Sequence, residues 1–377
     1  MNAKKYITSY LTEYKNAKLD WNYEDGCVLI GAVQLYEVTK NNFYKIFVKE
    51  YIDKFVNEDG SINHYEKEKY NIDNINTGKV LFFLYEETKE TKYKLAIEVL
   101  MDQLRSHPRT KSNNFWHKKI YPNQIWLDGL YMAQPFYMAY ETKFNGKKNY
   151  NDILEQFKNV RKFLFNEEKK LYYHGYDEAR VQPWADKETG CSPNFWLRAV
   201  GWYLMALVDT MWEMSKEIFE QYRIFEGLLK EGVKGILPYR DEKNNMFYQI
   251  IDKGKYDRNY LETSGSLMVA YAILKGCRIG ALQKEIYQEI GEDIFYAITE
   301  QKIIEEDGKL KLTDICSVAG LGPGNERDGS FEYYVSELVV CDDPKGSGVL
   351  LMTYAQLLFL KQEDCEEWGC NNECEKH

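Results

Sequence analysis

Long apolar runs are missing from this chain of 377 residues, and no stretch is long enough to span a bilayer. Residues Met1–Tyr10 lack the apolar core of a signal peptide. Basic stripes are missing too. The formal net charge is −10, which argues against a nucleic-acid or membrane-surface partner and leaves room for a small anionic substrate held by a local site. Cysteines in disulfide-framework spacing are absent: Cys27, Cys191, Cys277, Cys316 and Cys341 are scattered and read as free thiols in a reducing, cytoplasmic setting. Cys365, Cys370 and Cys374 crowd a polar tail ending in His377, and their spacing fits no zinc pattern. Histidine is scarce at five, and proline at eight, most of it between apolar periodic segments.

With few breakers inside them, those segments predict helices over 3–15, 26–40, 42–57, 74–88, 91–106, 129–141, 149–166, 194–215, 217–233, 261–279, 281–301 and 346–362. No run is long enough to carry a sheet, although Leu171–Tyr173 and Met246–Ile250 suit small hairpins. The even-numbered helices are rich in Gly, Ala and apolar residues around most of their circumference, as in Gly26–Val33 and Ser264–Ala272, which suits burial on all sides. The odd-numbered ones carry charge on one face, as in Tyr93–Arg105. Six inner and six outer helices packed as an all-α (α/α)6 barrel is the simplest arrangement; a straight helical solenoid is the alternative. One domain over 1–362 and a polar tail over 363–377 follow.

Aromatic residues are abundant at 15%, with 31 Tyr and 8 Trp, which serve cores and sugar-stacking surfaces alike. Some fall in a weak repeat. Trp126-Leu127-Asp128, Trp196-Leu197-Arg198 and Tyr260-Leu261-Glu262 stand at or near the starts of inner helices. Each is preceded by an aromatic run ending in a polar residue: Phe115-Trp116-His117, Tyr172-Tyr173-His174 and Phe247-Tyr248-Gln249. Equivalent places in a repeated hairpin would gather Asp73, Asp128, Arg198, Glu262 and Lys345 at one end of the barrel. Free N–H groups there, with Arg198, Lys118 and Lys345, suit a carboxylate. Trp126, Trp196, Trp202 and Tyr23 offer stacking faces. Asp73 and Asp128 form an acid pair in an aromatic pocket, which suggests glycoside chemistry with one group protonated. Each also has a plainer reading: the aspartates as N-caps, His174 as a structural histidine, the tryptophans as packing anchors, Glu178 and Asp186 as turn residues.

At these residues the chain resembles glycoside hydrolase family 105, the unsaturated rhamnogalacturonyl hydrolases. The matching stretches are Tyr23–Gly26, Asp73–Gly78, Trp126–Met132, Tyr173–Asp177, Trp184–Asp186 and Ser192–Trp202, with a weaker echo at Glu332–Tyr334 and Asp343–Gly346. The related family 88 of unsaturated glucuronyl hydrolases fits the Trp196–Trp202 segment less well. The resemblance implies hydration of the C4=C5 enol ether of a terminal unsaturated uronic acid left by a lyase. It implies Asp128 as general acid/base, Asp73 in support, substrate contacts from Tyr23, His117, Lys118, Trp126, His174, Trp196, Arg198 and Trp202, and no metal or organic cofactor. The loop 236–260 and the tail offer no residue that the resemblance places in a site. A sugar epimerase using paired histidines, and a non-catalytic sugar-binding barrel, are the competing readings. The sequence leaves oligomeric state, leaving-group sugar and linkage open.

Overall fold

The computed structural model describes residues 2–14, 19–322, 324 and 326–367. Among them are thirteen α-helices. Six form an inner ring: α2 (Tyr23–Thr39), α4 (Lys79–Thr88), α6 (Leu127–Lys143), α8 (Leu197–Glu213), α10 (Thr263–Arg278) and α13 (Pro344–Glu367). Each packs on the next, and α13 returns to α2, so the ring closes as an (α/α)6 barrel. The outer helices are α1 (Asn2–Glu13), α3 (Asn42–Ile52), α5 (Thr91–Ser106), α7 (Tyr150–Leu164), α9 (Phe219–Ile236) and α11 (Lys284–Gln301).

Burial follows the sequence pattern. Helix α8 buries every residue from Leu197 to Met211. Outer α7 buries one stripe, Ile153, Leu154, Phe157, Val160 and Leu164, at helical spacing. The ring seals where α2 meets α13. A Cβ on Gly31 would lie 2.6 Å from Leu351 Cβ, and one on Gly348 would lie 2.6 Å from the carbonyl carbon of Cys27. Only glycine lets these two backbones come so close.

Several boundaries differ from expectation. The helix expected over 42–57 stops at Ile52; Phe55 and Val56 extend the apolar rhythm but are buried from a turn, with Val56 bridged to Ile62. The helix expected over 74–88 opens as a 3-10 turn, Ile72–Gly78. A thirteenth helix, α12 (Phe331–Ser336), was not expected; six residues are too few to show a period. The last helix runs past 362 to Glu367.

Eight short strands pair in four two-stranded sheets. They are β1 (Gln124–Trp126), β2 (Phe165–Asn166), β3 (Leu171–Tyr172), β4 (Gly175–Asp177), β5 (Ile303–Glu306), β6 (Lys309–Leu312), β7 (Ile315–Cys316) and β8 (Val339–Val340). The aromatic run at Leu171 pairs with Phe165–Asn166 as a hairpin. Met246–Ile250 does not form a hairpin of its own; it makes single bridges from Ile250 to Trp196 and from Tyr248 to Leu261.

Among the described residues, no helix is long and apolar enough to cross a membrane. Cys27, Cys191, Cys277, Cys316 and Cys341 are free thiols. Cys365 is disulfide-bonded, while Cys370, Cys374 and His377 lie outside the described residues.

Candidate active site

One repeated hydrogen bond builds the site. Three inner segments begin with an apolar residue whose N–H has no partner within its own helix. Ile72 donates to the carbonyl of His117, Leu127 to that of His174 and Leu197 to that of Gln249, at 3.3, 3.1 and 3.0 Å. Each acceptor lies in the turn before the next inner helix, so every helix start is stitched to its neighbour. The residue after each donor is Asp73, Asp128 or Arg198. The same stitch therefore lays a polar side chain from one segment beside one from the next.

The two acidic members show the result. His174 Nε2 lies 3.2 Å from Asp128 Oδ2. The approach departs from ideal hydrogen-bond alignment, and neither buried atom has any other hydrogen-bond partner. His174 Nδ1 pairs with the Tyr334 hydroxyl at 2.7 Å. His117 Nε2 lies 3.7 Å from Asp73 Oδ1, and Lys118 Nζ lies 2.6 Å from Asp73 Oδ2.

The capping alternative fails for both aspartates. Asn71 caps the Ile72 turn through the N–H of Asp73, and α6 has no side-chain cap. Capping belongs instead to Glu262, which accepts from the N–H groups of Ser264 and Gly265 at 3.2 and 2.6 Å. Glu262, expected at the same barrel end, is thereby committed to capping α10 and shares Ser264 Oγ with Arg198.

Electrostatics separate the groups. Burial pushes the Asp128 carboxyl up, but the charges and contacts of His174 and His117 outweigh it and hold Asp128 below the usual carboxylate range. Asp128 is thus not the acid held protonated in this state. Burial lowers His117 to about 4, so it is neutral near pH 7. Lys118 loses hydration, yet Asp73 more than restores its charge.

Arg198 is 2% exposed. Its guanidinium donates to Ser264 Oγ at 3.2 Å, to the Cys316 carbonyl and to the Ser317 carbonyl at 3.4 Å. It lies 5.0 Å from the Trp196 ring centroid. No carboxylate of the described residues forms an ion pair with it. Tyr23 stands between charges, its hydroxyl pushed up by burial and by Glu24 and Asp73 and eased down by Arg198.

The tryptophans are already stacked on protein. Trp126 stacks on His117 at 4.3 Å and on Tyr121 at 4.8 Å, Trp196 stacks on Tyr334 at 5.8 Å, and Trp202 stacks on Tyr131 at 4.7 Å. Trp196 and Trp202 are each 1% exposed, so they wall the site and present no open face. Lys345 is not free for a carboxylate; it pairs with Glu24 at 2.9 Å and Asp343 at 2.8 Å. Glu178 binds the N–H groups of Lys111 and Ser112, and Asp186 those of Glu188 and Thr189, as turn residues do.

Two participants were missed. Gln249, in the loop thought empty, accepts from Trp196 Nε1 at 3.1 Å and donates to the Tyr334 carbonyl at 3.3 Å. Its signal was its place in the aromatic–polar repeat. Tyr334 was visible only as the weaker echo. Among the described residues, no group of three or more His, Cys, Asp and Glu is placed to hold a metal ion.

Comparison with known proteins bears on this geometry. The model described as Glycosyl Hydrolase Family 88 matches residues 2–361. A solved family 105 glycoside hydrolase of C. acetobutylicum ATCC 824 is 43% identical, with a TM-score of 0.90, covering 94% of this chain and 99% of that one. Protein Atu3128 of Agrobacterium fabrum is 38% identical over 240 residues, which is 61% of this chain and 99% of that protein. The unsaturated rhamnogalacturonyl hydrolase YesR of Bacillus subtilis is 24% identical over 296 residues, 77% of this chain and 78% of YesR.

Proposed function

Because this chain belongs to glycosyl hydrolase family 88 and is a glycoside hydrolase, we propose that it releases a terminal 4,5-unsaturated uronic acid from a lyase-generated oligosaccharide. The default substrate is unsaturated galacturonyl-rhamnose from pectin, in keeping with the name of the YesR relative. The observation that carries the reading is the contact of Asp128 Oδ2 with His174 Nε2 at 3.2 Å, with neither atom hydrogen-bonded to any other group. Two buried proton-handling atoms paired only with each other are set up to serve a third party.

In this reading Asp128 protonates C4 of the enol ether, water adds at C5, and the hemiketal opens to release the next sugar. Asp128 starts as a carboxylate. The substrate's own carboxylate, entering a buried site, raises the Asp128 pKa and loads the proton where it is needed. Arg198, whose nearest acid, Glu262, reaches it only through the Ser264 hydroxyl, takes the uronate. Asp73, held by Lys118 and His117, binds sugar hydroxyls beside Tyr23 and His174, while Trp126, Trp196 and Trp202 frame the ring. One catalytic domain over 1–362, acting in the cytoplasm on imported disaccharides without a cofactor, completes the proposal. The epimerase reading loses ground, because a histidine lowered to about 4 is a poor proton carrier near neutral pH.

Incubation with lyase-made pectin disaccharide tests it. Loss of the ultraviolet absorbance of the conjugated double bond is expected, and persistence of that absorbance refutes the reading. A parallel glycosaminoglycan disaccharide separates the rhamnogalacturonyl from the glucuronyl preference.

A further inference from the structure

His117 turns its two nitrogens in opposite directions. Nε2 looks toward Asp73 at 3.7 Å. Nδ1 looks back at α6, where a Cβ on Gly129 would lie 3.2 Å from it. Behind the ring is a small cavity of about 10 Å³, lined among others by Ile72, Phe115, Gly129, Gln134 and Gln156. That is room for one water. Three buried polar atoms among its lining residues lack a hydrogen-bond partner in the protein: His117 Nδ1, Gln134 Oε1 and Gln156 Nε2. Their residues are 4%, 1% and 2% exposed.

We propose that one buried water, held by Gln134 and Gln156, locks His117 as the Nε2–H tautomer, making these glutamines positioning residues for the site.

The assignment follows from counting donors. The N–H of Phe115 can only donate, and it donates to Gln156 Oε1 at 3.1 Å, which fixes that amide. Gln134 Nε2 donates to the same oxygen at 3.1 Å, which fixes the second amide. Gln156 Nε2 is then left as a donor and Gln134 Oε1 as an acceptor. A water between them accepts from Gln156 and gives one hydrogen to Gln134. Its other hydrogen has one place to go, His117 Nδ1. Nδ1 is therefore bare, and the ring proton sits on Nε2, facing the Asp73 carboxylate. The opposite tautomer would point two donors at the water and strand one of the water's own hydrogens. Gln156 lies on outer helix α7, so the outer ring reaches the site through this relay.

The test is nuclear magnetic resonance on the full chain with 15N-labelled histidine at pH 7. Only five histidines contribute, and His117→Gln identifies the signal. A bare Nδ1 and a protonated Nε2 are expected; a proton on Nδ1, or an even mixture, overturns the proposal. Gln156→Glu preserves size but, once the introduced carboxylate is ionised, replaces a donor by an acceptor. The water must then give both hydrogens away and accept from Nδ1–H, so the tautomer inverts. An unchanged tautomer in that variant overturns the relay. Crystals should show one water within hydrogen-bond reach of all three atoms, and an empty cavity overturns it as well. Only the kinetic arm rests on the proposed hydrolysis: kcat/KM on the pectin disaccharide should fall roughly tenfold in Gln156→Glu, as the Nε2 proton facing the Asp73 carboxylate is lost. An enzyme that ignores the disaccharide still leaves the spectroscopic and crystallographic arms standing.

Discussion

Asp128 keeps its charge in a place where charge is costly. Its side chain is 14% exposed, yet His174 and His117 hold its carboxyl below the usual range. Asp128→Asn removes one titrating group and little volume, so turnover should vanish while the circular-dichroism melt stays near wild type. Near-normal turnover would remove Asp128 from the mechanism. Substrate-assisted protonation gives a second outcome. Because kcat reports the complex and kcat/KM the free enzyme, the falling limb of kcat should lie at higher pH than that of kcat/KM. Coincident limbs would show that substrate does not load the proton. Tyr334 belongs to the same scale, as the partner of His174 Nδ1. Tyr334→Phe should lower kcat by roughly tenfold, the worth of one buried hydrogen bond, and change KM less. Steady-state kinetics on the disaccharide decide it.

At the scale of elements, a single stitch explains why part of the site was legible. Asp73, Asp128 and Arg198 each follow the apolar residue whose N–H crosses to the next segment, and their spacing to aromatic–polar runs is written in the chain. Glu262 sits in the same repeat and misleads, because spacing does not reveal whether a carboxylate caps its own helix. Tyr334 was hidden for another reason: its helix has six residues, and it meets His174 across 160 positions. The same scale holds the contrast between glycines. Gly348→Ala would drive a Cβ to 2.6 Å from the backbone of Cys27, where nothing can yield. A loss of roughly 1–3 kcal/mol is expected. Gly227→Ala on outer α9 meets nothing within 4 Å and should gain roughly 0.5–1 kcal/mol by stiffening the unfolded chain. Thermal melts of the two variants should move in opposite directions.

For the whole molecule, buried imidazoles set the response to acid. Burial lowers His107 and His117 from 6.5 to about 4. Between those values each leaves the unfolded chain one proton richer, while Glu213, raised by burial to about 7, leaves the folded chain one proton richer, so the net excess on the unfolded chain is about one. The contribution of the two histidines is therefore complete above pH 6.5 and is lost as pH falls toward 4. The slope should approach about 1.4 kcal/mol per pH unit, the worth of one proton. Urea midpoints at pH 7, 6 and 5 measure this, and a flat series would contradict it. The ring itself was readable, since helices apolar on all sides and helices apolar on one face alternate along the chain. Its seam was not, because contact between Gly348 and Cys27 joins residues with no local relation.

That seam also sets the order in which a nascent chain becomes an enzyme. Synthesis delivers Asp73, Lys118, Asp128, His174 and Arg198 within the first two hundred or so residues. The carbonyls that seat Arg198, at Cys316 and Ser317, and the hydroxyl that seats His174, on Tyr334, arrive near the end. Helix α13, which closes the circle against α2, comes last of all. A ribosome that has just passed Arg198 has therefore made both acids and cannot yet have made a site.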